Sequence, residues 1–300
     1  MDPPTLHEWF DVINNLPSNK AMGPSKISNE MLKHLGPTAF NKLWILISHC
    51  ITKSDFPDQW KEAFVYPIPK PQEWHNRLNN TRPITLLDTV RKATVKLLTN
   101  RLSSILVQHH VLKGYNFAAL PKSSTFEALR VIDNVLQDAK SSDKEIWFYL
   151  QDMSKTYDRV NICMLQHAMN HIKLPSLFIR FISNLFTNRS NRVFTPFGLT
   201  DPYNILVGID QGEVICPLLW YIYYDPLLSF IQNSTSLGYE LKSNNWSSID
   251  DIISDSQTSP LQERIPVTAF IDDTTWIAKF IADLQEILAV AQSFCSLNDI

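Results

Sequence analysis

Glycine is scarce in this 300-residue chain, at 7 residues. Neither GxGxxG nor GxxxxGK(S/T) occurs, which argues against the nucleotide folds that cradle phosphate on a glycine-rich loop. Charge of one sign is also lacking. The formal net charge is -3, so the chain has no basic excess of the kind that marks many nucleic-acid-binding domains. Any such surface must come from local clusters of lysine and arginine. The four cysteines, Cys50, Cys163, Cys216 and Cys295, lie far apart, with no CxxC pair. That pattern argues against a disulfide framework or a zinc site and fits a reducing, intracellular compartment. Met1 is followed by Asp2, two prolines and an amphipathic stretch, which does not read as a signal peptide. No apolar run approaches the roughly 18 residues needed to cross a bilayer. The longest, 216–231, is interrupted by Pro217, Asp225 and Pro226, so no membrane partner is expected.

What is present is a core. The hydrophobic fraction is 44%, enough to fold and too high for a disordered chain. Apolar periodicity predicts helices over 5–16, 38–53, 88–110, 124–140, 161–172, 175–187, 212–232 and 280–297, with a short helix capped by Ser28. Strands are expected at 63–68, 145–151 and 267–271, with 274–278 returning antiparallel and 192–197 and 203–207 forming a hairpin. The polar stretch 71–81 reads as a turn, and the Ser-, Asn- and Asp-rich stretch 233–264 as a partly flexible insertion. Separated blocks of helices and strands imply an α+β fold with an antiparallel sheet.

Three aspartates stand out. Asp152 closes an apolar strand, and Asp272 and Asp273 stand at the turn of an apolar hairpin. Aspartate is depleted in strands, and an ionised carboxylate is not buried unless paired or bound to metal. Two strands delivering carboxylates to one sheet edge would suit a hard cation such as Mg²⁺. The alternative is that all three are ordinary turn aspartates. The pair Asp250-Asp251, in a polar loop, reads as surface.

The residues around these aspartates carry a resemblance. Phe148-Tyr149-Leu150-Gln151-Asp152-Met153-Ser154-Lys155-Thr156-Tyr157-Asp158 resembles the first palm motif of reverse transcriptases. Gly208-Ile209-Asp210-Gln211-Gly212, continuing to Cys216-Pro217-Leu218-Leu219, resembles the second, and Ala269-Phe270-Ile271-Asp272-Asp273 the aromatic-x-Asp-Asp box. Upstream, Lys20-Ala21-Met22-Gly23-Pro24 is similar to the family's loop before the fingers. Ile68-Pro69-Lys70 and Arg82-Pro83-Ile84-Thr85-Leu86-Leu87 are similar to its paired fingers motifs, and Phe117, Ser124-Thr125 and Glu127 to its Phe…Ser-Thr-x-Glu segment. The matches run in order from about residue 17 onward, and the loop and the Ser-Thr-x-Glu helix point to the non-LTR (LINE-type) group.

The resemblance implies the fingers and palm of a right-hand polymerase, with an antiparallel palm sheet. It implies an N-terminal helical extension over 1–60, fingers over 61–140 and a palm over 141–300, with the reverse transcriptase domain covering about 50–300. It implies RNA-directed DNA synthesis from dNTPs on an RNA template and a DNA primer. Two Mg²⁺ ions, or Mn²⁺ in their place, would lie about 3.5–4 Å apart between Asp152 and Asp272, with the Met153 carbonyl completing a shell and Asp273 supporting the site. Lys70 and Arg82 would contact the triphosphate, Arg82 with a planar fork suited to phosphate. Tyr157 would exclude a ribose 2′-hydroxyl, and Gln211 and Gly212 would lie against the nascent base pair. Lys20, Lys26, Arg91, Lys92, Lys96, Arg101, Lys122 and Lys155 are candidates for gripping template and primer phosphates.

The chain departs from the pattern at several points. Ser25-Lys26 replaces Asp-Gly in the first loop, Cys216 replaces the Ser of Ser-Pro, Thr156 replaces Ala, and Ile271 replaces the small residue usual in the box. The chain reaches Ile300 before the family's thumb, so a fingers-and-palm unit lacking the thumb is expected, with weak or no processive synthesis. Three other readings stay open: a catalytically inactive relic that folds and binds nucleic acid, a polymerase that makes RNA, and a globular protein with chance matches.

Overall fold

The computed structural model describes residues 1–71, 77–234, 237–245 and 258–300. Asp250, Asp251 and much of the polar turn at 71–81 lie outside the described residues. In chain order the elements are α1 (Leu6–Asn14), α2 (Asn29–Lys33), α3 (Pro37–Lys53), β1 (Glu62–Pro69), β2 (Thr81–Leu86), α4 (Thr89–Gln108), α5 (Thr125–Ser141) and β3 (Trp147–Gln151). There follow α6 (Thr156–Arg159), α7 (Ile162–His171), α8 (Ser176–Leu185), β4 (Arg189–Thr195), β5 (Gly198–Leu199), β6 (Tyr203–Ile205) and α9 (Cys216–Gln232). The last are β7 (Tyr239–Asn245), β8 (Thr258–Ile265), β9 (Val267–Phe270), β10 (Asp273–Ala278) and α10 (Ile281–Asn298).

These elements form two compact units, each discontinuous in sequence. The first comprises Met1–His109 and Lys155–Tyr223, the second His110–Ser154 and Tyr224–Ile300. Contacts therefore divide the chain differently from the serial boundaries at 60 and 140.

In the first unit, side-chain caps start α1 and α4 where the sequence places them. Thr5 and Glu8 make a capping box on α1, and Asp88 caps α4 by accepting from the Val90 and Arg91 N–H groups at 2.8 and 3.1 Å. Such caps are worth about 1 kcal/mol each. Helix α1 buries Trp9, Val12 and Ile13 and packs on α4, which turns Ala93, Leu97, Leu98, Leu102 and Leu106 inward. Ile105, on the same helix, is exposed. The sheet of this unit runs β2-β1-β4-β5, with β6 also on β4. It is mixed rather than wholly antiparallel: β1 pairs antiparallel to β2 and parallel to β4. The parallel pair needs a long crossover, and local alternation carries no trace of which distant strand will be the neighbour.

The second unit contains the antiparallel sheet, β3-β10-β9. Helix α5 packs against β9, and α10 against β10 and β3. A buried cluster of Val135, Ala139, Tyr239, Ile265 and Ile277 ties α5 to the strands. Beyond β9, Asn116 bridges to Ala269, with Phe117 N–H donating to the Ala269 carbonyl at 2.9 Å and Ala269 N–H to that of Tyr115 at 2.8 Å. Within the expected insertion at 233–264 the described residues include an antiparallel strand pair, β7 with β8. Tyr239 and Ile265 are paired and buried at its base, and the Tyr239 hydroxyl donates to Asp138 at 2.6 Å. Apolar anchors stand at that end, so the composition of the stretch as a whole reads as loop.

Arg101 is held bidentately by Glu8 at 2.9 and 2.8 Å and also donates to the Asp2 and Pro3 carbonyls. The hydrogen bond from Arg101 is the chief reason that the Glu8 pKa falls to about 2. A lowered folded-state pKa stabilises above the ordinary carboxylate range, and that contribution is lost as pH falls toward 2. Glu8→Gln should lower stability at pH 7 by about 0.5–1 kcal/mol, because the pair is partly solvated. The difference from the unmodified chain should close in denaturation curves taken between pH 5 and pH 2, on the order of those two carboxylate limits; a constant offset over that range would refute the linkage.

Candidate active site

The second unit gathers the carboxylates. In the antiparallel register Thr274 pairs with Gln151 and Trp276 with Tyr149. Asp152 follows Gln151 directly and Asp273 precedes Thr274, so both come at the same end of the sheet. Asp272 shares that end, because Asp273 pairs with Phe270 and only Ile271 and Asp272 form the turn. Met153 continues from Asp152 as the chain leaves β3. Asp152 and Asp273 are exposed and Asp272 half-buried. Desolvation raises the Asp273 pKa, and the neighbouring Asp272 and Asp152 raise it further by repulsion. Among the described residues no three His, Cys, Asp or Glu side chains close into a metal-binding group. A Mg²⁺ site of one or two carboxylates, completed by substrate phosphates, requires no such cage, so the carboxylate end fits a divalent cation.

The turn itself is unusual. Ile271 has φ 58°, the left-handed region that a β-branched residue avoids at a cost of about 1–3 kcal/mol. The sheet behind it is firm. Trp276 is fully buried and its ring N–H donates to Gln151 Oε1 at 2.7 Å, while the Tyr224 hydroxyl meets Thr274 Oγ1 at 3.3 Å.

The first unit gathers the other expected residues. In the β1–β2 hairpin Ile68 pairs with Arg82 and Pro69 with Thr81, and Lys70 N–H donates to the Asn80 carbonyl at 2.8 Å. Lys70 and Arg82 therefore stand at one end of the hairpin, Lys70 half-buried and Arg82 exposed. Further along β2, Thr85 N–H donates to the Gln211 carbonyl at 3.0 Å. Gly212 has φ 135°, and a Cβ there would meet the Thr85 carbonyl oxygen at 2.6 Å. Only glycine permits this approach of two backbones. At the other end of the loop, Ile209 N–H donates to the Tyr157 carbonyl at 2.8 Å and Gly208 N–H to that of Val160 at 3.0 Å. The Gly208–Glu213 loop is thus clamped between β2 and the α6 turn, which sets the backbones of Gln211 and Gly212 against Thr85 and that of Ile209 against Tyr157, while Lys70 and Arg82 stand at the far end of the hairpin.

What holds this loop is a set of buried charges. Arg91 is fully buried and donates to Asp210 at 2.9 Å, Glu213 at 2.8 Å and the Trp60 carbonyl at 2.5 Å. Arg189, also buried, donates to Asp210 at 2.5 Å and to the Gly208 carbonyl at 2.6 Å. Burial raises the Glu213 pKa, with Arg91 opposing and Asp210 adding to the shift. Arg91 is therefore not a phosphate contact, which corrects the sequence expectation; Arg101, tied to Glu8, is only partly available. The signal was present in the acids flanking Gln211-Gly212 within an apolar stretch, which demand buried cations. Cys216, at the position of the family's serine, is buried, and desolvation pushes its thiol well above the ordinary range.

The same unit has an open cavity of about 750 Å³ lined by residues that include Lys20, Lys92, Lys96, Arg101, Thr85 and Gly212, with Glu8 and Asp11 also on its wall. Three of the expected phosphate-gripping lysines thus share one groove with the glycine of the second motif.

Residues 68–300 match the family model described as reverse transcriptase (RNA-dependent DNA polymerase). This chain belongs to the reverse transcriptase family. It is 27% identical over 224 residues to the probable RNA-directed DNA polymerase from transposon BS of Drosophila melanogaster, covering 74% of this chain and 24% of that protein. It is 24% identical over 220 residues to the RNA-directed DNA polymerase from mobile element jockey of the same species, covering 73% and 24%. To the transposon TX1 149 kDa protein of Xenopus laevis it is 23% identical over 300 residues, covering 97% and 21%. The chain thus spans about a quarter of the length of the first of these relatives. Among solved structures, apo telomerase from Candida tropicalis aligns over 83% of this chain and 51% of that one, at 15% identity and TM-score 0.49. The reverse transcriptase family generally uses divalent metals. Among the described residues no helix is long and apolar enough to cross a membrane.

Two outcomes test the site's electrostatics. Arg91→Met leaves Asp210 and Glu213 short of a buried partner and should cost about 3–5 kcal/mol in denaturant unfolding; a loss within ~0.5 kcal/mol would show the network to be dispensable. For Asp273, a raised folded-state pKa means stability present at low pH and lost as pH rises through its titration. Asp273→Asn should therefore raise the melting temperature of the metal-free chain at pH 7, with the gain shrinking on acidification. A fall at pH 7 would contradict the repulsion.

Proposed function

We propose that the chain carries the fingers and palm of an RNA-directed DNA polymerase, joining a dNTP to a primer 3′-hydroxyl on an RNA template. In this reading the fingers cover 61–140, the palm 141–300, and 1–60 is an N-terminal extension. The observation that carries it is the register that brings Asp152, Asp272 and Asp273 to one end of an antiparallel sheet, in a chain whose residues 68–300 match the family.

Asp152 and Asp272 would hold two Mg²⁺ ions, with the Met153 carbonyl contributing and Asp273 keeping the local field negative. Bound there, such cations would supply Lewis-acid activation of the attacking hydroxyl and charge neutralisation for the triphosphate and the leaving pyrophosphate. The mutual repulsion at Asp273 supports this, since a cation relieves it. Lys70 and Arg82 orient the triphosphate. Tyr157 sets its ring under the sugar and excludes a 2′-hydroxyl. Gln211 and Gly212 present backbone and amide to the nascent base pair, on a loop that the buried charges keep rigid. Lys20, Lys92 and Lys96 line the path of the template backbone, so affinity should fall steeply with salt.

Single-nucleotide incorporation on an RNA template with a DNA primer, dNTP and Mg²⁺ or Mn²⁺ tests this. Asp152→Asn should reduce incorporation on the order of 10²-fold or more, as losses of preorganised transition-state electrostatics do, and Tyr157→Val should admit NTPs that the unmodified chain rejects. Primer binding without any incorporation, unaltered by Asp152→Asn, would favour an inactive nucleic-acid-binding relic.

A further inference from the structure

Asn116 lies outside every motif discussed above, yet the residue is only 4% exposed and its side chain touches the carboxylate turn directly. Its Nδ2 donates to the Ile271 carbonyl at 3.1 Å, and its Oδ1 accepts from the Ile271 N–H at 3.2 Å and the Ala118 N–H at 3.2 Å. One carboxamide thus grips both backbone polar groups of the residue immediately before Asp272. The asparagine is itself fixed. Its N–H donates to the Gly114 carbonyl at 2.8 Å, and the chain on either side is bonded to Ala269.

The residue gripped has an unfavourable backbone: Ile271 is β-branched and stands at φ 58°. A β-branched side chain gives the turn no intrinsic preference for the left-handed region. The turn must therefore be over-determined by its surroundings. From these contacts we infer that Asn116 is a positioning residue that holds Ile271 in its left-handed conformation and thereby sets the direction in which Asp272 and Asp273 leave the turn. It touches no substrate and acts only through Ile271. The inference rests on the metal-binding reading of Asp152 and Asp272 for its functional consequence, but not for its structural one.

Two measurements on the full chain keep those parts separate. Amide hydrogen exchange should be at least ~10-fold faster for Ile271, Asp272 and Asp273 in Asn116→Ala, while the β7–β8 hairpin and α5 keep their protection. Mn²⁺ titration followed by electron paramagnetic resonance should show ~10-fold weaker binding in Asn116→Ala. Affinity should be largely restored in Asn116→Ala/Ile271→Gly, because glycine adopts the left-handed turn without assistance. A merely structural role would lower the melting temperature without that rescue. If the alanine variant does not fold, Asn116→Ser, too short to bridge both backbone groups, takes its place. Unchanged exchange at the turn overturns the inference, as does an affinity loss that glycine at 271 leaves in place. If the unmodified chain binds no Mn²⁺, the metal reading fails, and the exchange measurement alone decides whether Asn116 holds the turn.

Discussion

The first unit depends on one electrostatic condition, the complete pairing of four buried charges. Arg91, Arg189, Asp210 and Glu213 are all buried, and each of the two acids faces at least one guanidinium. Removing such groups from water costs several kcal/mol per ion, and only mutual attraction with further hydrogen bonds offsets it. The Trp60 and Gly208 carbonyls supply those further bonds. Helix α4, strand β4, the segment at Trp60 and the Gly208–Glu213 loop are thereby made mutually dependent. Between its two acids the loop carries Gln211 and Gly212, so residues proposed to face the nascent base pair inherit the rigidity of the charges beneath them.

The second unit solves a different problem. Its sheet delivers carboxylates to one end, where they repel one another, on a turn that includes a β-branched residue in the left-handed region. Neither feature favours the folded state. Both are tolerated because the sheet behind is well packed, with Trp276 fully buried, and because Asn116 engages the turn from behind. Unfavourable local energy concentrated at one sheet end is a common mark of a functional site. Here the concentration coincides with the residues that the family motif supplies.

Much of this was legible in the sequence. Apolar periodicity located the long helices, since a helix that buries one face must repeat that face every three to four residues. The strands ending in Asp152 and before Asp272 were legible because apolar runs stop abruptly at an acid. The order of short motifs identified the family. Less legible were pairings between distant segments. The parallel β1–β4 pair, the hairpin within the Ser- and Asn-rich stretch, and the burial of Arg91 all depend on partners remote in the chain. An arginine on a helix looks the same whether it will face solvent or Asp210 and Glu213. Asn116 is the sharpest case. Nothing at 113–118 distinguishes a loop asparagine from one bonded to a residue 155 positions away.

By itself, then, the sequence determined where the long helices and most of the strands lie, and which ordered motifs place the chain in its family, because these follow from local periodicity and residue type. Only the tertiary structure decided which backbone lies against which. It set Gly212 on Thr85, Asn116 on Ile271 and two arginines on two buried acids. The physical reason is that burial and hydrogen-bond satisfaction belong to the assembled core, where each polar group taken from water must find its partner wherever the chain happens to bring one.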